Sequence, residues 1–221
     1  MKKAIPAYSG TLRNHSLNVP DATYECSGIL IFGRRIKSLV FSTDVATIAN
    51  INTDAVIAVY PFTPQPKISQ AIISVSDVPV FVGVGGGITS GDRSVRMAIE
   101  AENQGAYGVV VNAPMPPAVI TEIKRHIELP VVATIVSATQ DIDARVEAGA
   151  DILNVSAAAA TPEVVAHIRE KYPELAIIAT GGPVNETIRT TIQAGANAVT
   201  YTPPTCGALL SNTMQAYRTT Y

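Results

Sequence analysis

Charged and aromatic residues are scarce in this chain of 221 residues. Asp, Glu, Lys and Arg make up 15% of it, whereas a typical soluble domain carries about 25%. Tryptophan is absent, and the aromatic residues together reach only 5%. The net charge is −2 and the Lys and Arg residues form no block, so the chain lacks the basic surface and the stacking side chains of a nucleic-acid-binding protein. We therefore expect no nucleic acid among its partners.

Cysteine and long apolar runs are scarce as well. The two cysteines, Cys26 and Cys206, lie far apart and form no CxxC pair, which is typical of free thiols in a cytoplasmic protein. No apolar run approaches the ~20 residues that a membrane-spanning helix needs. The first residues contain two lysines but no apolar core of signal-peptide length. The sequence therefore predicts a cytoplasmic protein with no membrane partner.

Apolar residues, by contrast, make up 47% of the chain. The length fits one domain with a sizeable core, and the apolar content also suits an interface between copies of the chain, so a homo-oligomer stays open. From residue 38 onward, short runs rich in Val, Ile and Ala alternate with segments of helical periodicity. Such continuous apolar runs are typical of parallel strands that are covered on both faces. The runs are 38–43, 55–62, 79–83, 108–112, 130–136, 152–156, 176–180 and 198–202.

The helical segments end in a recurring signal. Gly105, Gly149 and Gly195 each follow a helical segment and closely precede an apolar run, at the position where a left-handed residue ends a helix. The segments with helical periodicity include 44–50, which is very short, and 94–104, 117–127, 141–148, 162–172 and 186–194.

This alternation predicts an α/β fold of the (β/α)8 TIM-barrel type. An open, doubly wound sheet is the alternative, and the barrel is favoured because eight similar units with short loops close without exposed strand edges. We expect a single barrel over residues 38–221 and an N-terminal extension over 1–37 that packs on it. Within the extension, we expect 29–36 to form a strand or hairpin at one end of the barrel and 13–16 a solvated loop.

The catalytic candidates follow from the architecture, because barrel enzymes place their active sites at the C-terminal ends of the strands. Those ends are polar here but nearly uncharged, and Asp44 is the only carboxylate directly at a strand exit. Asp44 is a candidate acid or base, although a cap on the short helix that follows would use the same residue. Asn112 and Asn154 are candidates for binding a ligand or an oxyanion, or for satisfying loop backbone groups.

Several mechanisms find no support in the sequence. No pair of strand-end carboxylates suggests glycoside hydrolysis, and we expect no metal site because His, Asp and Glu form no ligand cluster. His126 and His167 fall on predicted outer helices. Lys67 is the one lysine near the expected site, but a Schiff-base lysine normally emerges from the interior of a strand, so this role is disfavoured.

Two glycine-rich stretches are candidate ligand sites. Residues 83–93 include Gly85 and Gly86 and are expected to form a flexible loop with exposed N–H groups. They are not a Walker loop, because no Gly-Lys-Ser/Thr follows, and a loop that needs unusual backbone angles would use the same glycines. Gly181 and Gly182 stand between a strand and a helix, where bare N–H groups and the helix dipole suit a phosphate.

The last two strands are neighbours in a closed barrel, so we expect the loop after the eighth strand to lie beside Gly181 and Gly182. Its Thr205, Cys206 and Gly207 would complete the anion site. Cys206 stands at the expected start of the last helix, where a thiolate would be stabilised, but a buried inert thiol is the favoured alternative because no His is nearby in sequence.

The segments Ala179-Thr-Gly-Gly-Pro and Ala194-Gly-Ala-Asn-Ala-Val-Thr resemble the ribulose-phosphate-binding barrel superfamily, at the level of the fold over residues 38–221. Residues 6–16, 31–38, 59–66 and 201–205 resemble a bacterial group of short barrel proteins that are labelled hydrolases and have no established substrate. The resemblance implies a phosphate grip with one glycine after the seventh strand, which Gly181 and Gly182 match, and another after the eighth. There the chain departs, because Pro203 and Pro204 offer no N–H donors.

The function that these observations predict is that of an enzyme acting on a small, phosphorylated metabolite. Hydrolysis is the reaction that the resemblance implies, and isomerisation or carbon–carbon cleavage fits the fold equally well. The alternative is a non-catalytic barrel that binds a metabolite and regulates a partner, which the shortage of charged strand ends favours. The sequence identifies no cofactor, and flavin or nucleotide binding at the Gly-Gly turn stays open.

Overall fold

The structure, a computed structural model, describes residues 6–8, 10 and 17–220; the loop expected at 13–16 lies outside them. In this part of the chain there are ten strands and eight α-helices. The strands are β1 (Ile29–Ile31), β2 (Arg34–Ile36), β3 (Ser38–Phe41), β4 (Ala55–Ala58), β5 (Val80–Gly85), β6 (Gly108–Val111), β7 (Val131–Ile135), β8 (Ile152–Val155), β9 (Ala176–Thr180) and β10 (Ala198–Tyr201). The helices are α1 (Val45–Ile48), α2 (Pro66–Val75), α3 (Asp92–Asn103), α4 (Pro117–His126), α5 (Ile142–Glu147), α6 (Thr161–Lys171), α7 (Asn185–Gln193) and α8 (Cys206–Thr220).

Strands β3 to β10 form a closed parallel barrel. Each strand pairs with the next along the chain, and β10 pairs with β3, where Val199 lies opposite Ser38 and Tyr201 opposite Val40. The predicted (β/α)8 TIM barrel is therefore confirmed, as is the pairing of the last strand with the first. The open-sheet alternative is wrong, because every strand from β3 to β10 has a neighbour on both sides.

Two predicted strand boundaries are wrong by several residues. The second barrel strand ends at Ala58 instead of residue 62, and the chain turns before Pro61, which has no N–H to offer a ladder. The third runs on to Gly85 through a register shift between Gly83 and Gly85. The first residues of the expected flexible loop at 83–93 therefore belong to the sheet.

The side chains inside the barrel lie in layers. The strand registers accumulate the stagger that is typical of this fold, so each layer takes residues from alternate strands. The two lower layers consist of apolar residues and one glycine, in an apolar cluster of their own. The lowest layer contains Ala55, Gly108, Ile152 and Ala198, and the next contains Leu39, Phe81, Val132 and Ile178.

Helices cover the outside of the barrel because their apolar residues share one face. In α3, for example, Val95, Ala98 and Ala101 are buried, and their spacing of three places them on the side of the helix that packs on the strands. Outward-facing strand residues such as Val82 and Val109 belong to the same core cluster.

The N-terminal segment adds two elements to the barrel. Strands β1 and β2 pair as an antiparallel hairpin, as expected for 29–36, and Ile31 and Ile36 pack against the lower layers. A 3-10 turn at Asp21–Glu25 lies against α7, where the amide of Ala22 donates to Asn185 Oδ1. Burial beside this turn raises the pKa of the free thiol of Cys26 to about 11, so this cysteine is unreactive at neutral pH.

The last helix, α8, differs from the others in that it buries none of its residues. Leu210, Met214 and Tyr217 are exposed by 63%, 40% and 55%. Their spacing places them on one face of the helix.

The close approach of Gly108 to Phe81 inside the barrel generates a prediction. A Cβ at Gly108 would lie 2.5 Å from Cδ1 of the fully buried Phe81, so Gly108→Ala overpacks the lower layers. We expect it to lower the free energy of unfolding by about 1–3 kcal/mol in urea titrations. In a double variant with Phe81→Leu, the smaller side chain leaves room for the new methyl group, so the combined loss should be less than the sum of the single losses. Strict additivity would show that the two positions do not compete for the same space.

Candidate functional site

The upper part of the barrel interior has an apolar side and a polar side. The third layer contains Ile57, Val110, Asn154 and Thr200, and the fourth contains Phe41, Gly83, Thr134 and Thr180. In these two layers the residues that come from β3 to β6 are apolar or glycine, and the residues that come from β7 to β10 are polar. Beyond the strand ends, a further layer again takes its residues from alternate strands and contains Val59, Asn112 and Ser156. The mouth at the C-terminal end of the strands therefore presents two chemically different walls.

The polar side contains two hydrogen-bonding atoms that nothing satisfies. Oδ1 of Asn154 and Oγ1 of Thr200 are buried, and neither has a partner among the described residues. Leaving a buried acceptor or hydroxyl unpaired costs about 1–3 kcal/mol, so a water or a ligand atom is needed there. Asn154, a predicted site residue, thus lies in the barrel interior. The alternative that its amide satisfies loop backbone groups is wrong.

Asn112 lies where the two walls meet. Its backbone N–H donates to the carbonyl of Gly85 at 2.9 Å and its carbonyl accepts from Met115 N at 2.9 Å. Within the described part of the chain its side-chain amide makes no hydrogen bond, and it borders a cavity of about 310 Å³. The amide is therefore free to bind a ligand.

Gly85 and Gly86 border the same cavity. A Cβ at Gly86 would lie 2.5 Å from Cβ of Asn112, and one at Gly85 would lie 2.2 Å from Oγ of Ser94, so close packing accounts for both glycines. The N–H of Gly86 donates to the carbonyl of Thr89 at 2.7 Å. The expectation of a flexible loop with exposed N–H groups is wrong at this residue, because its N–H is already used within the loop.

The apolar wall consists mainly of side chains that the sequence did not single out. Phe62 and Ile88 line the 310 Å³ cavity and are exposed by 73% and 94%. Phe41 lines an adjoining cavity of about 450 Å³, which shares Val59, Tyr60 and Asn112 with the first. The hydroxyl of Tyr60 accepts from Gln65 N at 2.9 Å. The signal in the sequence that could have indicated this wall was the aromatic and proline-rich run at 59–66.

Arg145 anchors the loop that carries Asn112. Its guanidinium is only 7% exposed and donates to the carbonyls of Ala113 and Met115. Gln140 Nε2 also donates to the carbonyl of Ala113, at 3.3 Å. Burial lowers the pKa of Arg145. No sequence signal separates this arginine from others on helix surfaces.

Asp44 lies at the end of β3 as the N-cap of α1. Its Oδ1 accepts from the amide of Thr47 at 3.0 Å, so the capping interpretation is confirmed. The Cys206 thiol and the N–H of Thr47, both close to the carboxylate, hold the pKa of Asp44 below its ordinary value. The carboxylate is therefore ionised at neutral pH.

Gly181 and Gly182 line a groove of about 430 Å³ between the start of α6 and the start of α7. Gly182 has a φ of +79°, and Val184 at the N-cap of α7 offers no side-chain acceptor to the first turn. Across the groove, Ala157 has φ −106° and ψ 28° and Ala158 has φ +51°. Such a turn ending in a left-handed residue brings successive backbone N–H groups together, as in an anion-binding nest. The N–H of Ala157 donates to Oγ1 of Thr161 at 3.0 Å, which leaves the N–H of Ala158.

The groove differs from the anion site that the sequence predicted. Its other wall is formed by Ala158, Ala159 and Pro162, and it does not contain Thr205, Cys206 or Gly207. Oγ1 of Thr205 accepts from Ala208 N at 3.1 Å, and Sγ of Cys206 lies 3.6 Å from Oγ1 of Thr47. The loop after β10 thus contacts the loop after β3, because Asp44 and Thr47 hold the start of α8 there.

The described residues contain neither a cluster of metal ligands nor a membrane-spanning helix. They contain no group of three or more His, Cys, Asp and Glu that could hold a metal ion. His126 and His167 lie on the outer helices α4 and α6. No helix in the described ranges is both long enough and apolar enough to cross a membrane.

Comparison with known proteins gives one match in sequence and many in fold. No family model matches the chain. The chain is 45% identical over 62 residues to inosine-5'-monophosphate dehydrogenase from Chlorobaculum parvum. The match covers 26% of this chain and only 13% of the length of that dehydrogenase.

Solved structures resemble the whole barrel. Phosphoenolpyruvate phosphomutase from Streptomyces platensis subsp. rosaceus matches with a TM-score of 0.64 and 14% identity, over 82% of this chain and 81% of that one. A phosphonopyruvate hydrolase in complex with oxalate and Mg²⁺ matches with a TM-score of 0.63 and 12% identity, over 86% and 83%. Dihydrodipicolinate synthase from Bacillus anthracis matches with 0.60 and 15%, over 82% and 75%. At such identities these likenesses establish the (β/α)8 barrel and nothing finer.

The buried arginine generates a prediction for the site. Arg145→Met keeps much of the side-chain volume but leaves the carbonyl of Met115 without its donor and the carbonyl of Ala113 with that of Gln140 alone. We expect the free energy of unfolding to fall by about 1–3 kcal/mol and the amide of Met115 to exchange faster with solvent. Arg125→Met is the matched control, because Arg125 is 69% exposed and pairs only with Glu122, and should change stability by less than about 0.5 kcal/mol. Equal effects of the two substitutions would contradict an anchoring role.

Proposed function

We propose that this chain is an enzyme that acts on a small, phosphorylated metabolite and binds its phosphate in the groove at Gly181 and Gly182. The observation that carries the proposal is that two residues with an unbonded backbone N–H, Ala158 and Gly182, line one groove. No acceptor among the described residues takes the N–H of Ala158 or of Gly182, and the first turn of α7 has no side-chain cap. Such groups bind anions, and the helix dipole adds to the attraction.

The charge of the groove limits how tightly it holds phosphate alone. No Lys or Arg side chain lines it, so backbone dipoles supply the attraction, at roughly 0.3–2 kcal/mol for a helix terminus. Inorganic phosphate should therefore bind weakly, and the rest of the ligand must contribute to affinity. The position of the groove suits such further contacts, because Thr180 lies both on the wall of the groove and inside the barrel. There its hydroxyl donates to Ser156 Oγ at 3.3 Å.

The comparisons support a phosphorylated ligand through the names of the similar proteins. Two of them, the inosine-5'-monophosphate dehydrogenase and the phosphoenolpyruvate phosphomutase, are named for phosphorylated compounds. We do not propose that this chain binds Mg²⁺, although the ion is present in the phosphonopyruvate hydrolase structure. The described residues of this chain contain no cluster of carboxylates at the mouth that would suit the ion.

Hydrolysis is the reaction that we propose, from the resemblance to the short hydrolase-labelled barrels. In this proposal Asp44, which is ionised, is the base that takes a proton from water, and the amides of Asn112 and Asn154 stabilise the developing negative charge. Gly85 and Gly86 would shape the pocket beside Asn112. The second candidate, a non-catalytic metabolite-binding barrel, is favoured by one observation: the Asp44 carboxylate already caps α1.

The remaining sequence expectations also stay proposals. We infer a cytoplasmic protein from its free cysteines, and a division into an extension over 1–37 and one barrel over 38–221. Membership of the ribulose-phosphate-binding superfamily is proposed on the motifs around Gly181 and Gly195.

The groove is tested by a matched pair of glycine substitutions. Gly182→Ala and Gly105→Ala each place a methyl group on a residue with a left-handed φ, +79° and +87°, so their backbone penalties are similar. Only Gly182 lines the groove, and its new Cβ would lie 2.6 Å from Oγ1 of Thr187. In calorimetry with methyl phosphate and ribose 5-phosphate, we expect Gly182→Ala to lose at least about tenfold in affinity and Gly105→Ala to bind like the wild type. Equal affinities in both variants would exclude the groove as the phosphate site.

The catalytic role of Asp44 is tested separately from its capping role. Asn caps a helix about as well as Asp, so Asp44→Asn should keep the stability of the wild type, whereas Asp44→Ala should lose ~1 kcal/mol. We expect both to lose turnover of phosphate esters. Because the pKa of Asp44 is lowered, the wild type should keep its base, and the stability that the ionised cap provides, throughout the pH range above the ordinary pKa of an aspartate, and lose both as the pH falls through the lowered pKa. Full turnover in Asp44→Asn would leave Asp44 as a cap and favour the non-catalytic barrel or another base.

A further inference from the structure

The proposed phosphate groove accounts for only one side of the mouth. The other side is an apolar wall formed by Phe41, Val59, Tyr60, Phe62 and Ile88. These residues come from the end of β3, the loop after β4 and the loop after β5, and so form one continuous surface along neighbouring strands. Exposed apolar surface of this kind, rimmed by polar groups, marks a place where a ligand or partner binds.

The wall is hollow rather than flat. Its two adjoining cavities, of about 310 and 450 Å³, share Val59, Tyr60, Pro61 and Asn112. These volumes are in the range of small-molecule sites. The residues that line them include no Asp, Glu, Lys, Arg or His, so no charged side chain in the lining would pair with a charged group.

The two sides of the mouth are joined through polar side chains. Asn112 belongs to both apolar cavities, and in the uppermost layer it is the next inward-facing residue before Ser156. Ser156 accepts a hydrogen bond from Thr180, and Thr180 lines the phosphate groove. A molecule with its phosphate at Gly182 therefore passes over Ser156 and the amide of Asn112 before it meets Phe62.

We propose that the ligand is a phosphomonoester whose organic part is flat and largely apolar, such as an aryl phosphate, rather than a polyhydroxylated sugar phosphate. The proposal rests on the proposed phosphate groove and names the substrate class of the same site. Against Phe41, Val59, Phe62 and Ile88 a sugar would find no partner for its hydroxyl groups, which is costly. The polar side chains in the lining are those of Thr43, Tyr60, Thr89 and Asn112. A flat ring can pack against Phe62 and Val59, and its one or two polar substituents can pair with the amide of Asn112.

Aryl phosphates and sugar phosphates are distinguished by comparing three probes that share the phosphate with one that carries only the ring. Methyl phosphate, ribose 5-phosphate, phenyl phosphate and phenol are titrated into the wild-type protein by calorimetry. We expect phenyl phosphate to bind at least about tenfold more tightly than methyl phosphate, because it buries an aromatic face, and more tightly than ribose 5-phosphate. Phenol alone should bind more weakly than phenyl phosphate.

Two phenylalanines at opposite ends of the barrel provide the matched variants. Phe62 and Phe32 are exposed by 73% and 63%, and Phe32 lies between β1 and β2 at the end of the barrel remote from the mouth. We expect Phe62→Ala to lose about fivefold or more in affinity for phenyl phosphate with no change for methyl phosphate, and Phe32→Ala to change neither. Both variants should keep the fold, since the two side chains are mostly in solvent.

The outcomes separate the inference from the proposed function. If methyl phosphate binds and is lost in Gly182→Ala, but phenyl phosphate gains nothing or ribose 5-phosphate is preferred, the substrate class is wrong and the phosphate groove stands. If phenol binds as tightly as phenyl phosphate, the apolar wall is a separate site and the inference of one ligand is overturned. If no phosphate compound binds, the proposed function itself fails.

Discussion

The pairing of β10 with β3 is the contact on which the rest of this structure depends. It joins Val199 to Ser38 across most of the chain, and it gives every strand of the barrel two neighbours, so the backbone groups of the sheet are satisfied internally. It also sets the stagger of the strands and with it the layers. A slip of one residue would turn Asn154 and Thr200 away from the interior. The polar and apolar walls of the mouth are thus a consequence of closure.

The sequence predicted the strands well because buried parallel strands leave a strong pattern. Continuous runs of Val, Ile and Ala that alternate with helical segments, three of which end at a glycine, are hard to explain in any other way. The boundaries failed where local backbone chemistry overrides this pattern. Apolar residues continue past Ala58 although the chain has left the sheet, and glycines continue a strand to Gly85 through an irregular register. Neither event changes the hydrophobicity of the run, so periodicity cannot detect it.

The site was predictable where residue type dictates geometry and unpredictable where tertiary contact does. Gly182 was found because a glycine before a helix implies a bare backbone. Ala158 was not found, because an alanine with a left-handed φ has no signal in the sequence. The expected partner of the Gly181 turn was misplaced for a similar reason. The start of α8 contacts the loop after β3 instead, where Sγ of Cys206 lies 3.6 Å from Oγ1 of Thr47, and these residues lie far apart in the chain.

Asp44 shows how structural and chemical roles compete for one side chain. Capping α1 and accepting from Cys206 lower the pKa of its carboxyl, and a carboxylate with a lowered pKa is a weaker base. In the proposed reaction so weak a base leaves a larger share of the rate acceleration to groups that are already oriented: backbone N–H groups at Gly182 and Ala158, and the amides of Asn112 and Asn154. Such groups stabilise negative charge as it develops, without a proton transfer of their own. The architecture thus favours reactions that build up charge on a phosphate or an oxyanion over reactions that need a strong general acid.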